Sequence, residues 1–387
     1  MFKKTLIFPL IVALMLVGLC TVSSAAQNVA NTSQKGSLLI FPKIVVGNGW
    51  DTVVKISNDY LTEVWIKCYW VDSDQEIQDF LFRVTRNEPI WFRASDGLGA
   101  NDRNPITIPP FNGPIGELKC WTVNNNNSPS SQISFNHLYG SAVLFNYPGS
   151  DAFEYNAWTF AARNVVLGNP VGSPGTMVLS GSTTDPVYDA CPQYLLFNFL
   201  SGGSSIIADD GTPLSFAGPT LALIPCEQDL RQDRIPTCTK AKFDIWNENE
   251  TKFTGAYQCL KCYFEDYLPN LGKTRDPNSG KPTGYSGEKF LYTNLHTALA
   301  RFRTTGVAST VCNNIFTTAS TVSGPGVDKC KSQVATPLLG VMISEVQFGV
   351  GGSLQSLIGT TGSTAGAGAA TTILWDTEAL PPEAPTK

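Results

Sequence analysis

The sequence contains very little histidine, since only His137 and His296 occur among its 387 residues. Histidine is the commonest general acid or base in enzymes and a frequent zinc ligand. The sequence also lacks the Gly-x-Ser-x-Gly, HExxH, Walker and Rossmann patterns that mark common catalytic and nucleotide-binding sites. We therefore predict a protein that is not an enzyme and that carries no cofactor.

Charged residues are also scarce, at 15% of the chain, and no run of lysine or arginine is present. The net charge is -5 (27 basic minus 32 acidic side chains), and removal of the predicted leader, which holds two lysines and no acid, makes it -7 (25 minus 32). Contact with nucleic acid phosphates depends on basic patches. We therefore predict no nucleic acid partner and no attraction to anionic lipid surfaces.

Long hydrophobic runs are absent beyond the first residues. The run from Leu6 to Leu19 is shorter than the roughly 20 residues that a membrane-spanning helix needs. It follows two lysines and precedes small residues that end at Ala26, which is the pattern of a secretory signal peptide. We expect cleavage after Ala26, no membrane span, and an exported chain that lies outside the cell, at the cell surface or in a periplasm.

Turn-forming residues and short alternating segments are abundant. The chain holds 34 glycines and 25 prolines, with 42% hydrophobic and 11% aromatic residues. Segments such as 51–58, 63–71 and 116–123 alternate apolar and polar residues between Gly, Pro, Asn and Asp, which is typical of antiparallel sheet. We predict an all-β protein built of antiparallel β-sandwiches that are immunoglobulin-like (Ig-like) in general pattern only.

Two parts of the chain repeat each other. Lys67-Cys68-Tyr69-Trp70 recurs as Lys261-Cys262-Tyr263-Phe264. Short motifs between Phe80 and Cys120 recur at a constant offset of 210 positions (330 minus 120). This repeat predicts two tandem Ig-like modules related by internal duplication. The predicted segments are a signal peptide at 1–26, a flexible leader at 27–36, a first module at 37–167, an extra or bridging segment at 168–217, a second module at 218–378 and a Pro-rich tail at 379–387.

Nine cysteines remain after removal of the leader, and cysteines of exported proteins are expected to form disulfides. The repeat predicts two disulfide bonds between cysteines that match in the two copies. Cysteines found only in the second copy suggest two further bonds. The predicted bonds are Cys68–Cys120, Cys262–Cys330, Cys226–Cys238 and Cys259–Cys312. Cys191 is left over, either as an unpaired thiol or as a link to another molecule.

Four carboxylates cluster in one predicted turn: Asp72, Asp74, Glu76 and Asp79. Carboxylates at such spacing suit Ca²⁺, which takes six to eight oxygen ligands. The segment lacks the glycine and the final glutamate of an EF-hand loop. We expect a solvated acidic turn, with a Ca²⁺ site as the alternative.

Eight tryptophans favour a second function, because exposed aromatic faces stack on sugars. Tryptophans on strands belong more often to the core, and Trp50 and Trp91 are the two that we predict to be most exposed. A carbohydrate-binding protein is thus one alternative. Another is an exported hydrolase on a β scaffold, with Asp96, Asp102 or Glu117 as acid or base.

The leading hypothesis is an exported, non-enzymatic β-sandwich protein that serves in surface structure, adhesion or extracellular assembly. Its partners would be a protein or a glycan at the cell surface. Self-association through the leader (27–36), which can add a strand to a neighbouring sheet, or through Cys191 is a further expectation.

Overall fold

A computed structural model describes most of the first half of the chain and part of the second. The described residues are 28–100, 108–124, 132–148, 151–172, 177–200, 205–207, 213–216, 220–226, 238–247, 249–267, 273–275, 282–285, 299–307, 335–343, 346–350, 353–357 and 378–379. Every ordered element in them is a β-strand, and no helix occurs among these residues.

The described part of the first half, up to residue 163, forms strands β1 to β11. They are β1 (Leu38–Val45), β2 (Trp50–Asn58), β3 (Val64–Asp72), β4 (Ile77–Val84), β5 (Pro89–Arg93), β6 (Gly99–Ala100), β7 (Ile115–Val123), β8 (Leu138–Asn146), β9 (Asp151–Asn156), β10 (Trp158–Phe160) and β11 (Ala162–Arg163).

The described part of the second half forms strands β12 to β26. They are β12 (Val187–Tyr188), β13 (Leu195–Leu200), β14 (Ser205–Ile207), β15 (Pro213–Phe216), β16 (Thr220–Pro225), β17 (Thr239–Asn247), β18 (Lys252–Leu260), β19 (Phe264–Tyr267), β20 (Lys273–Arg275), β21 (Pro282–Tyr285), β22 (Leu299–Val307), β23 (Leu338–Ile343), β24 (Val346–Val350), β25 (Ser353–Leu357) and β26 (Glu378–Ala379).

The first half forms a sandwich of two five-stranded antiparallel sheets. The outer sheet has the order β6-β5-β2-β8-β9, and the central sheet has the order β10-β1-β7-β3-β4. Leu39 and Phe41 of β1 enter the core between them, because alternate side chains on a strand point to opposite faces. The two sheets approach closely at Gly140 of β8, where a Cβ atom would lie only 2.7 Å from the Phe41 ring.

The central sheet is buried on both faces, which a two-layer sandwich does not require. Leu38 and Ile40 point away from the first core and join a second core cluster that also contains Leu221 and Leu223 of β16. The indole nitrogen of Trp158 donates a hydrogen bond to the carbonyl oxygen of Gly340 at 3.1 Å. Side chains of the first and second halves therefore share one apolar core.

The second half contains several smaller antiparallel sheets. Their strand orders are β18-β17-β22-β13-β26, β14-β15-β24-β25 and β19-β16-β23, with the paired strands β11-β12 and β20-β21 beside them. The predicted bridging segment 168–217 contributes to both halves, because Tyr188 packs in the shared core and β13 pairs with β22. The proposed tail begins inside β26, where Ala379 pairs with Leu195.

The residues predicted to form a flexible leader are instead part of the fold from Asn28 onward. Ala30 is fully buried, and its backbone N–H donates to the carbonyl oxygen of Ala190 at 2.9 Å. The Gln34 amide donates to Asp189, a buried carboxylate that also accepts from Arg163. The prediction of a flexible leader is therefore wrong for residues 28–36, because their polar groups find partners within the chain.

The disulfides agree with the sequence in one case and correct it in another. Cys68 and Cys120 are bonded and lie directly opposite each other on β3 and β7, which is the pair given by the repeat. Cys191 is bonded to Cys226. The predictions of an unpaired Cys191 and of a Cys226–Cys238 bond are therefore wrong, because the shared core brings the bridging segment against the end of β16.

The remaining predicted bonds involve residues outside the described ranges. Cys259 is disulfide-bonded, but its predicted partner Cys312 is not described. Cys262 is a buried thiol and not half of a disulfide, which contradicts the predicted bond to Cys330. The two halves of the repeat also differ in backbone at this position, because Cys68 is inside β3 whereas Cys262 lies in the bend between β18 and β19.

The all-β fold of antiparallel sheets is confirmed, but its halves differ in strand pairing. The pair β2–β5 has a counterpart in the pair β17–β22. In contrast, β1 lies between β7 and β10, whereas the matching β16 lies between β19 and β23. Strands that match in sequence thus have different neighbouring strands in the two halves, and the pairings do not establish two equivalent Ig-like modules.

Candidate functional site

The open face is the solvent side of the outer sheet, and its central side chains are Trp91, Lys55, Tyr139, Glu154 and Asn156. The open face arises because buried and solvent-facing side chains alternate along β2, where Val54 and Ile56 are buried while Lys55 between them is not. The same alternation along β5 buries Ile90 and Phe92 and leaves Trp91 outside. The sandwich therefore turns one tryptophan of this sheet towards solvent.

Strand register places these residues in one row. Lys55 lies opposite Trp91 on one side and opposite Ser141 on the other, and Ser141 lies opposite Asn156. Tyr139 stands two positions along β8, where its hydroxyl donates a 2.7 Å hydrogen bond to the amide oxygen of Asn156. The indole of Trp91 thus lies beside Lys55, and the hydrogen-bonded pair of Tyr139 and Asn156 lies beyond Lys55.

Two aromatic side chains of the open face are exposed. Trp91 is 44% exposed and Tyr139 is 39% exposed. Partial burial and the nearby Glu154 carboxylate raise the pKa of the Tyr139 hydroxyl above its usual value. Tyr139 therefore stays neutral at physiological pH and remains a hydrogen-bonding group.

The charges of the open face are paired within it. Lys55 forms a salt bridge with Glu154. Arg93 donates through Nε to Asp96 at 3.0 Å, and the same nitrogen lies 3.7 Å from Asp51. The hydrogen bond from Arg93 lowers the pKa of Asp96. Lys55 and Arg93 are thus each paired with neighbouring carboxylates.

The second tryptophan proposed from the sequence does not belong to the open face. Trp50 lies on the inner side of β2, is half-buried and packs edge-on against Phe153 with ring centroids 6.2 Å apart. Three other strand tryptophans, Trp70, Trp121 and Trp158, are fully buried. Trp50 is thus less exposed than Trp91, because the odd-numbered positions of β2 face solvent.

The acidic turn uses its carboxylates for local structure. The Asp72 carboxylate accepts hydrogen bonds from the backbone N–H of Asp74 at 2.9 Å and of Glu76 at 2.7 Å. Burial raises the pKa of Asp72 despite these hydrogen bonds. Asp79 forms a salt bridge with Lys67 on the adjacent strand. Within the described residues, no group of three or more metal-ligating side chains is positioned to hold an ion.

The acids proposed for a hydrolase are not brought together. Asp96 follows β5 at the outer sheet and pairs with Arg93. Glu117 is buried on β7 of the central sheet, 3.0 Å from the Lys119 ammonium. Asp102 lies outside the described residues. Asp96 and Glu117 therefore belong to different sheets and to separate ion pairs.

His137 lies in a surface cluster at one end of the sandwich. Its ring packs at a tilt against Tyr60, with centroids 4.2 Å apart, and Nδ1 lies 3.1 Å from the Asp59 carboxylate. Burial opposes ionisation of Asp59, but hydrogen bonds from Lys35 and His137 lower its pKa overall. This arrangement orders the loop after β2.

A buried polar cluster joins the two halves and was not foreseen from the sequence. Lys43 of β1 forms a salt bridge with Glu265 of β19, and the Tyr263 hydroxyl donates to the other oxygen of Glu265 at 2.7 Å. The Tyr155 hydroxyl accepts a hydrogen bond from the Lys43 backbone N–H at 3.1 Å. Only the tertiary fold brings these residues together, because they come from distant parts of the chain.

Sequence reasoning also missed most of the open face. Trp91 was proposed, but Lys55, Tyr139 and Asn156 were not. The alternation along β8 and β9 held the relevant signal, because it places Tyr139 and Asn156 on the sides opposite the apolar positions Leu138 and Tyr155. What the sequence does not contain is the strand order, which sets these residues beside Trp91.

No family model matches the chain, and no curated protein is significantly similar to it in sequence. Among the residues that the structure describes, no helix has the length and apolar character to cross a membrane. The case for function therefore rests on the geometry of the site.

Proposed function

We propose that this chain is an exported, non-enzymatic protein that acts by surface contact, in surface structure, adhesion or extracellular assembly. The observation that carries the proposal is the open face, a sheet surface on which Trp91 of β5 is exposed beside Lys55 of the central strand β2. A rigid sheet presents side chains in fixed positions without ordering them on binding, which lowers the entropic cost of association. Catalysis would instead require convergent acid and base groups, and Asp96 and Glu117 lie at separate sheets.

Export is supported by the disulfides. Bonds such as Cys68–Cys120 and Cys191–Cys226 form and persist in oxidising compartments. The leader sequence, with its basic start and short apolar run, agrees with secretion. We therefore place the protein outside the cytoplasm, at the cell surface or in an extracellular layer.

We also infer that the two halves descend from a duplicated Ig-like module. The matched cysteine motifs and the common antiparallel pairing of β2–β5 and β17–β22 support this inference. The different neighbours of β1 and β16 then record divergence after duplication. Equivalent function of the two halves does not follow, because the second half lies against the central sheet.

The proposed function is tested by locating the chain and removing its gene. We expect immunolabelling of intact cells to detect the protein at the surface, and we expect gene deletion to reduce cell attachment or surface-layer integrity. A Trp91→Ala chain should be exported normally and fail to restore the deletion, whereas Tyr147→Ala should restore it. Detection only in the cytoplasm, or measurable substrate turnover abolished by a point mutation, would overturn the proposal.

A further inference from the structure

We propose that the open face binds a neutral oligosaccharide, with Trp91 stacking on one sugar ring and Tyr139 and Asn156 contacting hydroxyls of another. This inference rests on the proposed contact function and names the chemical class of its partner. It follows from three properties of the face: its aromatic groups, its polar groups and its paired charges.

The aromatic groups are separated by polar ones. Register places Lys55 beside Trp91 and Ser57 beside Tyr139 on the intervening strand β2. Trp91 and Tyr139 thus do not merge into one apolar patch, whereas the centre of a protein–protein interface is usually enriched in contiguous apolar groups. An oligosaccharide alternates apolar C–H faces with hydroxyl groups, and this alternation matches the open face.

The spacing of the aromatic groups suits more than one sugar ring. Trp91 and Tyr139 stand two strands apart and two residues apart along the sheet. With about 4.8 Å between strands and about 3.4 Å per residue, their Cα atoms are separated by about 12 Å. This distance exceeds the width of a single ring, so the face favours a chain of sugars.

The polar groups are neutral donors and acceptors. The Tyr139 hydroxyl and the Asn156 amide hydrogen-bond to each other at 2.7 Å, which fixes their orientation. Asn156 is exposed, and an amide has two N–H donors and one carbonyl acceptor. Its remaining capacity is directed to solvent, where sugar hydroxyls can replace water.

The paired charges explain the preference for a neutral partner. Lys55 is neutralised by Glu154, and Arg93 by Asp96 and Asp51. An acidic polysaccharide would need cations that are free to pair with it, and the two cations among the described residues of this face, Lys55 and Arg93, are already engaged. A basic partner would have to displace these salt bridges. A neutral glycan requires neither exchange.

The test is binding of the purified, exported full-length chain to an array of neutral and acidic glycans, followed by calorimetric titration of the best ligand. We expect at least one neutral oligosaccharide to bind. Trp91→Ala should weaken the affinity about tenfold or more, as truncation of an aromatic anchor usually does, and Trp91→Phe should restore part of the loss. Tyr147, which is 86% exposed but lies in the turn after β8, supplies the control, and Tyr147→Ala should bind as the original chain does.

Three results would overturn the inference: no neutral glycan bound, binding to acidic glycans only, or equal affinity for the Trp91→Ala chain. Unfolding midpoints of all variants show whether a loss reflects misfolding. If glycan binding is absent but Trp91→Ala still abolishes attachment to cells, the partner is a protein, and the proposed contact function survives without this inference. If neither glycan binding nor cell attachment depends on Trp91, both the contact function and the glycan inference are wrong.

Discussion

At the scale of single residues, the buried tyrosines respond most directly to conditions. The hydroxyls of Tyr155, Tyr188 and Tyr263 are enclosed by protein, and burial raises the pKa of each hydroxyl above its usual value. For Tyr263, the nearby Glu265 carboxylate raises the pKa further. The sequence predicts aromatic strand positions as core, but it does not reveal which hydroxyl finds a partner, because partners come from distant strands.

Stability should therefore fall in alkali. A tyrosine whose folded pKa is raised contributes stability that is complete below its unfolded pKa of about 10 and is lost as pH rises above that value, because only the unfolded chain releases the proton. Each such tyrosine contributes a slope of about 1.4 kcal/mol per pH unit. Urea denaturation between pH 8 and 11 measures this slope. A free energy of unfolding that stays constant up to pH 11 would contradict the assignment.

Tyr188 offers a matched variant. Its buried hydroxyl has no hydrogen-bond partner in the part of the chain that the structure describes, and an unsatisfied buried hydroxyl costs about 1–3 kcal/mol. Tyr188→Phe should leave stability at pH 7 unchanged or increase it by about 1 kcal/mol, and it should reduce the alkaline slope. Tyr147→Phe, at the surface, should change neither quantity. A marked loss of stability at pH 7 in Tyr188→Phe would show that the hydroxyl is bonded.

At the scale of elements, the sequence predicted strands well and connections poorly. Segment 51–58 lies within β2, and segment 116–123 lies within β7, because period-two alternation is a local property. Pairing of Cys191 with Cys226 could not be read from spacing, because it depends on how the bridging segment packs against β16.

The Cys68–Cys120 bond should be the main covalent support of the central sheet. It closes a loop of 52 residues, which corresponds to about 4 kcal/mol in the chain-entropy treatment. We expect Cys68→Ala/Cys120→Ala to lower the free energy of unfolding by about 2–4 kcal/mol while the β-sheet circular dichroism signal is kept. Wild-type protein with both described bonds reduced should lose more. An unchanged urea midpoint in the double variant would show that the bond contributes little.

At the scale of the whole molecule, the shared core is the feature that the sequence did not suggest. The repeat predicted two modules in series, each with its own core. The structure instead places Leu38 and Trp121 of the first half in one cluster with Leu221 and Leu339 of the second. Local periodicity cannot predict this, because it reports which strand faces are apolar and not what covers them.

Unfolding of the chain should therefore be one cooperative event for the two halves. Separation of the two halves would expose the face of the central sheet that packs against the second half, and it would break the Lys43–Glu265 salt bridge. Neither half is therefore expected to melt alone. Differential scanning calorimetry should give a single main transition, with a calorimetric enthalpy equal to the van't Hoff enthalpy. Two separate transitions would instead support independent modules.

The central claim is that the protein works by contact through the open face. The most direct measurement is the binding isotherm of the purified chain to intact cells of the organism that produces it, for the original chain, Trp91→Ala and Tyr147→Ala. We predict saturable binding by the original and Tyr147→Ala chains, and binding about tenfold weaker or more for a folded Trp91→Ala chain. Equal binding by all three chains, or no binding by the original chain, would contradict the account.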